Sequence, residues 1–85
     1  MNKFERKNTE LVTEFDRFII ENPKFADSIP DGALLVMQVE DDAEFNEWNR
    51  KAALAQTQEG QKAIYINIKK LLPVRSRIEK IELIY

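Results

Sequence analysis

The chain has 85 residues, 44% apolar and 33% charged, the balance of one small globular domain rather than a disordered segment. Splitting residues 1–85 would leave two cores too small to be stable; as one domain the chain buries roughly 60–65% of its unfolded surface. It has no cysteine and no histidine, which excludes disulfides, thiolate and imidazole metal ligands, and the usual Ser-His and Cys-His nucleophile pairs. A non-enzymatic protein with no cofactor is therefore expected.

The formal charge is only −2, but it is unevenly placed. Residues 1–42 carry ten acids and five bases, whereas residues 43–85 carry five acids and eight bases. No apolar stretch approaches the roughly 18–20 residues of a membrane span. The N-terminus "MNKFERKNTE" is charged and lacks the apolar core of a signal peptide, so cytoplasmic residence is the default expectation.

The first predicted element is an amphipathic helix over Lys3–Glu21. Phe4, Asn8, Leu11, Val12, Phe15, Phe18 and Ile19 fall within an arc of about 120°, with Asn8 its one polar member and Ile20 well off the stripe. "ENP" at 21–23 ends the helix, because the residue before proline is driven out of helical geometry. Phe25 and Ile29 are expected to fold back on the core, and Pro30-Asp31-Gly32 is a strong turn signal. Ala33–Val39, almost continuously apolar and short, fits a strand covered on both faces.

A second helix opens at Asp41 or Asp42 and is expected to run to about Gln58, with Gly60 as its left-handed cap. Its apolar arc holds Phe45, Trp48, Ala52 and Ala55, which makes Trp48 a core residue in preference to a ligand platform; Ala43 and Leu54 point the other way. Ala63–Lys69 alternates cleanly, with Ile64, Ile66 and Ile68 on one face and Tyr65 and Asn67 on the other, which is a strand. A loop around Pro73 follows. In the closing "RIEKIELIY", Ile81, Leu83 and Tyr85 share a strand face, while Ile78, Ile81 and Ile84 would share a helix face; a strand is favoured. The order α-β-α-β-β gives an α/β domain (α+β as the alternative) with a three-stranded mixed sheet and two helices, its first two strands parallel.

Three functional readings follow. Ile20, Leu54, Ile81, Leu83 and Tyr85 leave apolar groups that a monomer of this size does not readily cover, which points to a protein-interaction module, homodimeric or bound to a protein partner. Against this, single exposed apolar residues are ordinary. The tract Gln61–Lys80 holds six bases and one acid, so Lys69, Lys70, Arg75 and Arg77 are candidate nucleic-acid contacts, RNA above all, with Tyr65 available to stack a base. A solvated face is the commoner meaning of such charges, and no RNA- or DNA-binding signature is present. Finally, Asp41 and Asp42 stand where a strand passes into a helix, a position that suits Mg²⁺ in an enzyme. Helix capping explains the same pair more simply, Asp41 and Glu44 having the spacing of a capping box.

The segments "IPDGA", "DDAEFNEWN" and "KKLLPVRSRIEK" resemble those of short prokaryotic proteins placed in a domain family of unknown function. That resemblance spans the whole chain and implies a compact prokaryotic α/β domain; with no activity assigned to the family, it supplies no site residue. Size and charge segregation also suit a small accessory protein such as the antidote of a toxin pair, although neither a DNA-binding half nor a disordered tail is evident.

Overall fold

The computed structural model describes residues 1–85, which form α1 (Lys3–Glu21), α2 (Pro23–Ala26), β1 (Leu34–Val39), α3 (Ala43–Leu54) and β2 (Ala63–Ile68). Asn2 starts α1: its Oδ1 accepts the Glu5 N–H at 2.8 Å, satisfying one of the free donors of the first turn. The helix stops at Glu21, where Pro23 opens the single turn of α2.

On the α1 stripe, Leu11 and Phe15 are buried, Phe4, Asn8 and Ile19 are half-buried, and Val12 and Phe18 are exposed. The covered stripe is thus narrower than its periodicity suggests. Phe25 reaches Phe15 and Phe18 edge-on, with centroids 6.3 and 5.4 Å apart, and remains 42% exposed, while Ile29 packs on the core as expected.

β1 and β2 form a two-stranded parallel sheet in register from Leu34↔Ala63 to Val39↔Ile68. Adjacent Val36 and Met37 point to opposite faces and both are buried, as a strand covered on two sides requires. The core joins Leu11 and Phe15 of α1, Met37 of β1 and Phe45 of α3, flanked by Ile66 and Ile68 of β2. Phe45 is 0% exposed, and its ring lies 6.1 Å from Phe4, which in turn lies 5.4 Å from a half-buried Trp48.

Three expectations are corrected. The sheet has two strands, not three: residues 77–85 adopt neither strand nor helix, and their one hydrogen bond is local, from the Ile78 N–H to Ser76 Oγ. An extended segment gains little until a ladder partner satisfies it, and a short helix rich in β-branched Ile78, Ile81 and Ile84 does not recover its nucleation cost. Second, α3 ends at Leu54 rather than near Gln58. Its last bonds tighten, with Gln56 N–H reaching Ala53 and Thr57 N–H reaching Leu54, while Thr57 Oγ1 donates to the Ala53 carbonyl. Third, Gly60 (φ 78°) therefore serves the connector before β2 instead of capping the helix.

The shape follows from the missing third strand. A compact 85-residue domain has a radius of gyration of about 12 Å, whereas this chain has 16.6 Å and is 64 Å long. A compact monomer of this mass exposes about 5,200 Å², whereas this one exposes 7518 Å². Residues 69–85, entirely exposed, account for that excess in kind: Leu72, Val74, Ile78, Ile81, Leu83, Ile84 and Tyr85 all lie open.

Candidate interaction surface

The two outer edges of the sheet are set by ladder geometry. Leu34 N–H donates to the Lys62 carbonyl and Glu40 N–H to that of Ile68, so even-numbered residues of β1 face β2 and odd-numbered ones face outward. On that outward side, Asn46 of α3 accepts the Val39 N–H and donates to the Val39 carbonyl, both at 2.8 Å. Asn49, one helical turn on and 6% exposed, donates to the Met37 carbonyl at 2.9 Å. The same Nδ2 group approaches Asn8 Oδ1 at 3.2 Å, which accounts for the one polar residue in the α1 stripe. Two amides on one helix thus stand in for a neighbouring strand.

By the same alternation, Ala63, Tyr65 and Asn67 of β2 direct their N–H and C=O groups outward. None of them has a hydrogen-bonding partner beyond the ladder. Beside this open edge lies a groove of about 920 Å³. Phe15, Phe18 and Phe25 line one side and Ile66 and Ile68 the other. Three carboxylates, Glu10, Glu14 and Glu21, border it against Arg17, which is itself paired with Glu14 at 2.8 Å.

The interface candidates fall into two groups. Ile81 (85% exposed), Leu83 (77%) and Tyr85 lie together on the projecting segment, while Ile20 (79%) and Leu54 (43%) stand on separate helices. Lys69, Lys70, Arg75 and Arg77 are all exposed and form no ion pair. Lys69, Lys70 and Arg75 continue the groove wall beyond β2. Tyr65 is 43% exposed on the sheet face it shares with its register partner Val36.

The acidic pair divides its work. Asp42, not Asp41, caps α3: Oδ1 accepts the Phe45 N–H at 3.2 Å, and Oδ2 pairs with the Lys7 ammonium. Hydrogen bonding from Lys7 and then from the Phe45 N–H holds this carboxyl below the usual carboxylate range, with partial burial opposing. Lys7 also sits 5.3 Å above the Phe45 ring, tying α1 to the start of α3. Asp41 occupies the left-handed turn between β1 and α3 (φ 72°), a conformation Asp tolerates better than most residues. No three acidic side chains converge as a metal site would require. Asn46 and Asn49 stand out in the sequence only as two asparagines three residues apart beside Phe45 and Trp48, a spacing that was not read as edge capping.

Residues 3–81 match the model of DUF5647, a family of unknown function. The chain belongs to that family. No curated protein and no solved structure matches it. None of the helices of this family member is long and apolar enough to cross a membrane.

Proposed function

We propose that this DUF5647 domain is a non-enzymatic protein-interaction module of the prokaryotic cytoplasm that works as a homodimer. The observation carrying this reading is the surface left open by one chain: about 2,300 Å² more than a compact monomer of its mass, much of it on the apolar side chains of residues 71–85. Apolar surface of that extent is unfavourable in water and is removed most directly by association. The open β2 edge and the adjoining groove supply a receiving surface on the same molecule.

Sedimentation equilibrium over a wide concentration range tests this. Twice the 10.0 kDa chain mass, dissociating on dilution, is expected; a single chain mass throughout would overturn it.

A second reading rests on the unpaired Lys69, Lys70, Arg75 and Arg77, which are exposed on one segment and free to contact phosphates as an RNA-binding surface. It predicts binding to single-stranded RNA that weakens steeply with salt and is lost in the Arg75→Glu/Arg77→Glu double variant. Binding that ignores salt, or no binding, removes it.

A further inference from the structure

We infer that residues 77–85 of one copy add to the open edge of β2 in a second copy as a third strand, and that the exchange is reciprocal. This deepens the homodimer reading above and rests on it.

Several observations converge. The edge of β2 is the more open of the two, because Asn46 and Asn49 take the Val39 N–H and carbonyl and the Met37 carbonyl at the edge of β1, whereas Ala63, Tyr65 and Asn67 offer unpartnered backbone groups. The segment 77–85 can pair as such a strand: Ile81, Leu83 and Tyr85 share one face, and Ile78 and Ile84 flank Lys80 and Glu82 on the other. A strand at the β2 edge would run along the groove and turn the first face toward Phe18 and Phe25, whose rings one chain leaves exposed.

Area agrees. A stable interface buries about 800 Å² per partner, and the excess surface of each chain is about 2,300 Å² over the compact expectation. A second copy is the occupant that satisfies both surfaces at once, each copy lending its segment and receiving its partner's. The chain's own segment leaves instead: the groove lining stops at Arg75, and the residues beyond it lie fully exposed along a 64 Å molecule.

The chain has no cysteine, so one label can be placed cleanly. Full-length Glu82→Cys carrying a nitroxide is mixed with an equal amount of unsubstituted ¹⁵N-labelled chain, and the mixture is unfolded and refolded so that copies exchange. The Ala63, Tyr65 and Asn67 amides of the ¹⁵N chain are expected to lose intensity, their hydrogen exchange to slow as concentration rises, and Leu83→Asp to abolish both effects while helical circular dichroism is retained. Broadening confined to samples in which label and isotope share one chain, at a single chain mass, would show the segment folding onto its own β2 and overturn the exchange. A dimer whose β2 amides stay sharp would overturn it while leaving self-association in place. A monomer with sharp β2 amides would end both.

Discussion

Along the outer edge of β1, the Val39 amide and carbonyl and the Met37 carbonyl are taken by Asn46 and Asn49; along the outer edge of β2, Ala63, Tyr65 and Asn67 have no such partner. The two strands have equal length and are paired in full register, so composition of the ladder does not separate them. The difference comes from what crosses each edge: a helix with polar side chains at the right spacing on one side, and a connection that runs off into solvent on the other. A small sheet can thus be made safe from association on one edge and available for it on the other.

That contrast can be broken most severely from the occupied side. Phe45→Ala removes the side chain on which α1, β1 and α3 meet and is expected to cost about 3–5 kcal/mol, read as a large fall in thermal midpoint and denaturant midpoint. For a domain whose total stability is about 5–15 kcal/mol, the variant stands near unfolding. Asn49→Ala is the next largest: it strands the Met37 carbonyl and Asn8, with about 1–3 kcal/mol expected. Asn46→Ala should fall in the same range and, by exposing the Val39 N–H, should speed its hydrogen exchange selectively.

The Asp42–Lys7 tie gives a smaller, pH-dependent effect. The folded carboxyl titrates below the value of about 3.9 typical of an unfolded Asp, so its contribution is fully present above pH about 4 and is lost as pH falls through the lowered folded value. Asp42→Asn keeps a capping side chain but removes the charge, and its thermal midpoint should fall less than the unsubstituted chain's between pH 5 and pH 2.5. The smallest effect belongs to the open side. Tyr65→Ser should change the stability of the dilute chain by less than about 0.5 kcal/mol, measured by denaturant unfolding.

Periodicity made α1 legible to the residue and placed β2 within one residue of its bounds, while a short continuous apolar run between turn signals did the same for β1, which is buried on both faces. The turn at Gly32 and the capping role in the acidic pair were equally open to reading, since both depend on local backbone chemistry. What escaped was non-local. Asn8, the one polar member of the apolar stripe, is explained by Asn49, which faces it from another helix. Choosing Asp42 over Asp41 as the cap needed the backbone turn, and ending α3 at Leu54 needed the course of the chain toward β2. The final nine residues carry a strand pattern without a strand, because pattern specifies which face is apolar and does not supply the neighbour that a ladder requires.

The parallel register also has a kinetic meaning. Each rung joins residues 29 positions apart, as does the bond from Gln61 Nε2 to the Gly32 carbonyl. Closing a loop of that length costs about 3 kcal/mol of chain entropy before the first rung is made, so β2 docks late, after the locally determined helices. In the folded chain Asn46 and Asn49 fill part of the far flank of β1, so the strand that closes this long loop lies on the flank they leave free and ends with its own outer edge open.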